Sequence, residues 1–169
     1  MDLYLLRHAE AGKRMAAASR DRGRALTAAG REEMEKVGKA LEEAGFEFDV
    51  IATSPVRRAK ESAEIVSRAL KQKRTVEEWA ELAPEGSREA LYRRLAGVKA
   101  GHSVFCVGHE PYLTTAIGEI VSKGTDNRAG VRIVLKKSGM AKLSVTGFSP
   151  RITGELRWLL TPKQIRKLG

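Results

Sequence analysis

Three short apolar runs, each closed by a polar loop and followed by an amphipathic stretch, constrain this chain more than any other feature. They cover residues 3–6, 49–53 and 103–107. The last is continuously apolar, as central strands covered on both faces are. Behind these runs the apolar residues change period. Met34, Val37, Leu41 and Ala44 follow a 3-4-3 spacing, and so predict one face of a helix. Val56, Ala59, Ala63, Val66 and Leu70 predict a second helix, Leu91, Leu95 and Val98 a third, and Leu113, Ile117 and Val121 a fourth.

Local signals agree with these elements. Thr27 and Ser87 are placed as N-caps, and Gly45 as a left-handed helix end. Ser54-Pro55 reads as an N-cap followed by proline at the first helical position. Thr161-Pro162 repeats that signal near the C-terminus, and a short strand is expected at Thr75-Val76. Residues 10–25 read as a loop with a loose helical turn. After Gly124 the pattern changes. Residues 131–135 and 140–145 read as two strands joined by a hairpin-like connection at 136–139, with a further strand at 155–160. Alternating strands and helices predict an α/β protein, a three-layer α/β/α sandwich. The late strand pair makes its central sheet mixed but mostly parallel. No repeat or linker divides the 169 residues, so residues 1–169 are expected to form a single domain.

Composition excludes several classes. At 42% apolar and 31% charged residues the chain is globular rather than disordered. It has no apolar run of about 18 residues, and residues 3–6 are too short for a signal-peptide core. A cytoplasmic protein with no membrane partner is therefore expected. The single cysteine, Cys106, lies in an apolar run and reads as a buried, inert thiol. The net charge of +10 favours acidic or phosphorylated ligands. Its basic residues are scattered and only 5% of residues are aromatic, so nucleic acid is not the expected partner. No long hydrophobic stripe demands a partner subunit, which favours a monomer.

In open α/β sheets ligands sit at the carboxyl ends of the strands. The first run ends in Arg7-His8, the second in Ser54-Pro55 with Arg58 one turn on, and the third in Gly108-His109. Two of the chain's three histidines thus fall at strand ends. His102 precedes its strand and reads as a loop residue. The set suits phosphoryl transfer. Arg7 and Arg58 offer planar forks for phosphate oxygens. Arg57 points about 100° away from Arg58 on a helix, so only one of them faces the site. A neutral imidazole attacks phosphorus, and a second, protonated one bonds the equatorial oxygens. The helix starting near Pro111 is expected to aim free N–H groups at the same place. No carboxylate cluster of metal-binding type accompanies these residues, so neither a metal nor another cofactor is expected.

These residues resemble a known family. Leu-Leu-Arg7-His8-Ala9 is similar to the Arg-His-Gly signature of the histidine phosphatase superfamily, whose members share the phosphoglycerate mutase-like fold. Alanine stands where the family usually has glycine. Ser54-Pro-Val-Arg-Arg58-Ala-Lys-Glu-Ser62-Ala63 resembles its Ser-x-x-x-Arg-Ala-x-x-Thr-Ala segment, and Val107-Gly-His109 its second catalytic histidine. Four further segments, at residues 24–30, 108–113, 135–139 and 158–162, resemble the short, SixA-type phosphohistidine phosphatases.

The resemblance implies that His8 is the nucleophile, that Arg7 and Arg58 bind phosphoryl oxygens, and that His109 stabilises them in the transition state. Arg24 matches an arginine of the Arg-Pro-Leu-Thr segment and is a further phosphate candidate, although Ala25 replaces the proline. Glu81 is the candidate general acid, with Glu85 as the other carboxylate of its loop. A solvated loop carboxylate is the competing reading for both. The expected substrates are phosphohistidine-bearing phosphotransfer or signalling proteins, with phosphate or sulfate able to occupy the site. A small-molecule phosphomonoesterase and a catalytically silent phosphate-binding module stay open as alternatives.

Overall fold

The structure is a computed structural model and describes residues 1–71, 75–122 and 132–169. Strand β1 (Asp2–Arg7) leads through α1 (Ala18–Arg22) and α2 (Ala28–Glu43) to β2 (Val50–Thr53). Helix α3 (Arg57–Ala69), β3 (Val76–Glu78), a 3-10 turn at Ala80–Leu82 and α4 (Arg88–Ala96) follow. Then come β4 (Ser103–Gly108), α5 (Tyr112–Val121), β5 (Met140–Gly147), β6 (Thr153–Leu160) and α6 (Pro162–Ile165). The six strands form one sheet in the order β3-β2-β4-β1-β5-β6. Strands β1 to β4 run parallel, while β5 and β6 are antiparallel to their neighbours. The expected mixed, mostly parallel sheet is therefore present.

Strand alternation sorts the core into two layers. Tyr4, Leu6, Ile51, Phe105 and Val107 face one cluster with α2, α3 and α6. Leu3, Leu5, Ala52, Val104 and Cys106 face the other with α4 and α5. Cys106 is fully buried, and burial pushes its thiol up, which leaves it protonated and inert. Among the described residues no helix is long and apolar enough to cross a membrane.

Capping follows the sequence in most places. Thr27 Oγ1 accepts from the Gly30 N–H at 3.0 Å, Ser87 caps α4, and Thr161 forms a capping box with Gln164. Gly45 ends α2 with φ of +73°. Two expectations fail. Helix α3 starts at Arg57, not at Pro55, and Val56 is its extended N-cap residue. The Ser54 hydroxyl accepts from the Val56 N–H at 3.2 Å instead of reaching the third helical N–H. Arg58 is thus the second helical residue rather than the fourth.

The late strand pair is also displaced. Residues 132–135 are not a strand, and Val131 lies outside the described residues. The hairpin is β5 with β6. Residues 136–139 instead clasp the end of β1. The Ser138 N–H donates to the Arg7 carbonyl at 3.0 Å, and the Arg7 N–H donates to the Gly139 carbonyl at 3.1 Å. Gly139 has no room for a side chain, since an added Cβ would meet the Lys136 oxygen at 2.8 Å. The segment resembles a hairpin turn in composition, yet tertiary hydrogen bonds use up its polar groups.

Candidate active site

Sheet register brings three loops together. Arg7 pairs with Gly108 across β1 and β4, and Thr53 pairs with Val107 across β2 and β4. The next residues of the three strands are therefore His8, His109 and Ser54. Backbone bonds continue past the strands, from the His8 N–H to the Gly108 carbonyl at 3.1 Å and from the Ser54 N–H to the Val107 carbonyl at 3.0 Å. The two imidazoles end with ring centroids 5.0 Å apart.

His8 Nδ1 lies 2.6 Å from the Ala9 carbonyl. A carbonyl only accepts, so Nδ1 carries the proton and Nε2 keeps its lone pair. Arg58 Nε donates to that lone pair at 3.2 Å. Burial, with Arg58 and Arg7 nearby, lowers the His8 pKa to about 4. At neutral pH the imidazole is thus uncharged and nucleophilic. The loop that holds it is itself anchored. The Ala9 N–H donates to Ser62 Oγ at 3.1 Å, and that hydroxyl donates to the Arg58 carbonyl at 2.8 Å. The Thr27 N–H donates to the Glu10 carbonyl, and Gly30 lets the first turn of α2 approach so closely that a Cβ would overlap that oxygen.

His109 Nε2 lies 2.9 Å from Ser54 Oγ. That oxygen also accepts from the Val56 N–H, and with its own proton turned to His109 Nε2 the ring proton sits on Nδ1. Nδ1 is buried and without a hydrogen-bond partner in the structure, as is Arg7 Nε. Buried donors left over by the protein mark a place where a ligand supplies acceptors. Arg7 NH1 is fixed by the Leu135 carbonyl at 2.9 Å.

Two electrostatic expectations are corrected. Burial, then His8 and Arg58, lower the His109 pKa to about 2, so the second imidazole is neutral rather than protonated. The start of α5 presents fewer free N–H groups than expected, since three of them are engaged within the loop and helix. The Leu113 N–H bonds the His109 carbonyl at 2.9 Å, the Thr114 N–H bonds Glu110 Oε1 at 3.3 Å, and the Thr115 N–H bonds the Pro111 carbonyl at 3.0 Å.

The remaining candidates divide. Arg58 is 6% exposed and inside the site, whereas Arg57 is exposed and bonded to Glu61. Arg24 reaches the site's edge, with NH1 on the Gly12 carbonyl at 2.6 Å and Nε 3.1 Å from Asp21 Oδ1. The Glu81 carboxylate is bonded by Arg94 NH1 at 3.3 Å and Glu85 pairs with Arg22, so neither joins the bonded set around the histidines. Sequence reasoning missed four contributors: Ser54 and Ser62 as anchors, Asp21, and Glu110. Ser62 stood at the motif's threonine position and was a readable signal. Glu110 is half-buried beside His109, and burial raises its carboxyl. Among the described residues no group of three or more His, Cys, Asp or Glu is placed to hold a metal ion.

Comparison with known proteins identifies the family and the fold. The model of the histidine phosphatase superfamily (branch 1) matches residues 3–86, the stretch that carries Arg7, His8 and Arg58. An uncharacterised protein of Picosynechococcus sp. is 32% identical over 167 residues, covering 96% of this chain and 98% of its own. The tungstate complex of the protein histidine phosphatase SixA superposes with a TM-score of 0.79 at 23% identity, covering 98% of this chain and 99% of that one. The SixA protein of Nakamurella multipartitia, described as a phosphohistidine phosphatase, gives 0.73 at 26% identity, covering 95% of both chains. The α-ribazole phosphatase of Shigella flexneri gives 0.75 at 16% identity, covering 96% and 97%. The sequence around His8 and the fold along the whole chain point the same way, and the chain belongs to the histidine phosphatase superfamily.

Proposed function

We propose that this protein is a phosphohistidine phosphatase that hydrolyses phosphohistidine on proteins through a covalent intermediate on His8. One observation carries the reading: a neutral imidazole whose tautomer is set by the Ala9 carbonyl, with its unprotonated Nε2 against Arg58. In the first step His8 Nε2 attacks phosphorus and the substrate's P–N bond breaks. The bonding pair stays on the leaving nitrogen and the ring keeps the proton on its other nitrogen, so it departs as a neutral imidazole and needs little help from an acid. Arg7 Nε, Arg58 and His109 Nδ1 donate to the phosphoryl oxygens as charge builds on them. In the second step water attacks phosphorus, the bond to Nε2 breaks, and the water's protons end on phosphate and solvent. This scheme uses no separate proton donor, which agrees with Glu81 being engaged by Arg94.

A small-molecule phosphomonoesterase is the second reading, and Glu110 favours it. A half-buried carboxyl with a raised pKa next to His109 is the kind of group that protonates an alkoxide leaving group.

Alkaline-quench trapping, which preserves the acid-labile P–N bond, separates these readings. Wild type and His8→Ala are mixed with a phosphohistidine-bearing phosphotransfer protein or with a small phosphate ester. A phosphoenzyme that needs His8 and forms faster from phosphohistidine is the expected result. An adduct from the ester alone moves the function to the second reading. No adduct and no turnover from either donor leaves a silent binding module.

A further inference from the structure

Asp21 is an anion already lodged among the arginines of the site. Arg58 NH1 donates to its main-chain carbonyl at 3.0 Å and lies 3.4 Å from its Oδ2. Arg24 Nε lies 3.1 Å from its Oδ1, and Arg24 NH2 donates to Oδ2 at 3.4 Å. The Met15 N–H donates to Oδ1 at 3.1 Å. Two guanidiniums and a backbone amide thus converge on this carboxylate, much as donors converge on a phosphate. The same Arg58 turns its Nε edge to His8 Nε2. Its two edges are shared between the nucleophile and Asp21.

We infer that Asp21 is an internal rival of the phosphoryl group: its carboxylate holds Arg24 and Arg58 between turnovers and reclaims them as phosphate leaves. The inference rests on the proposed reading of the site as a phosphoryl binder. A site lined by Arg7, Arg24 and Arg58 would otherwise retain inorganic phosphate, the product, and slow each turnover. Asp21 stays ionised throughout the neutral range, because the Met15 N–H and Arg24 hold its carboxyl below the usual value. The sign of the effect is decided by charge. In Asp21→Asn the side-chain oxygen still accepts from Met15, and the main-chain carbonyl still holds Arg58 NH1. Alignment is largely kept while the repulsion between a carboxylate and an incoming dianion disappears.

Calorimetric titration with inorganic phosphate at pH 7 and constant ionic strength tests this. Asp21→Asn is expected to bind phosphate about tenfold more tightly than wild type. Phosphate is also expected to inhibit its turnover at correspondingly lower concentration. Asp21→Ser, which removes the charge differently, is expected to shift in the same direction if the Asn variant folds poorly. A purely structural role for Asp21 would loosen the site and weaken binding, so unchanged or weaker binding in both variants overturns the inference. Failure of wild type and variant alike to bind phosphate overturns the phosphoryl reading of the site and the inference with it.

Discussion

The two histidine loops begin at paired positions of neighbouring parallel strands, yet they hold their imidazoles by opposite edges. His8 is anchored through Nδ1 and leaves Nε2 for chemistry, while His109 is anchored through Nε2 and leaves Nδ1. The anchors differ in kind. A carbonyl accepts only, so it locks His8 in one tautomer. A hydroxyl both donates and accepts, so Ser54 sets the His109 tautomer only through the direction in which it turns its own proton. The lesson is that one side-chain type becomes nucleophile or hydrogen-bond donor according to the neighbour on its far side.

Substitutions on the two loops should therefore differ in size and in kind. His8→Ala removes the atom that forms the covalent bond, and turnover is expected to fall at least about 1000-fold with no phosphoenzyme trapped. His109→Ala removes a donor to the phosphoryl oxygens. Its expected loss is about 100-fold in kcat with the adduct still forming slowly on His8. Equal losses, with no adduct in either variant, would erase the distinction drawn between the rings.

Ser54→Ala probes the anchor alone. It frees the His109 tautomer and orphans the Val56 N–H, so about a tenfold drop in kcat and about 1 kcal/mol of stability are expected. Ser54→Thr restores a hydroxyl and should recover most of the kcat. Stability that falls with kcat untouched would make Ser54 a structural residue only.

A last effect is on stability rather than turnover, through pH dependence. Both rings have folded-state values, about 4 and about 2, below the ordinary 6.5. The unfolded chain therefore binds more protons than the folded one once the pH drops below about 6.5. Stability should fall on acidification from 6.5 towards 4, by roughly 1 kcal/mol per pH unit for each ring. Urea unfolding of wild type and His8→Gln between pH 7 and 5 checks it. The variant's slope should be smaller, and parallel slopes would mean that His8 is not held neutral by the fold.

Much of this was legible in the chain before any coordinates. Residues 3–6, 49–53 and 103–107 announced the central strands, because buried strands must be continuously apolar. His8, Arg58 and His109 stood where such strands end. Other features were illegible for identifiable reasons. Residues 136–139 carry turn chemistry, but their hydrogen bonds go to Arg7 across the fold, which local pattern does not register. The α3 start slipped by two residues because Ser54 spends its hydroxyl on His109 and Val56.

The sequence by itself determined the class of fold, the central parallel strands and which residue types meet at the strand ends. These depend on periodicity and on local capping, which act over a few residues. Tertiary structure alone decided the tautomer of each histidine, the engagement of Glu81 by Arg94, and the seat of Asp21 between Arg24 and Arg58. Those outcomes turn on burial and on single hydrogen bonds between residues far apart in the chain, and they exist only once the sheet register has brought the loops together.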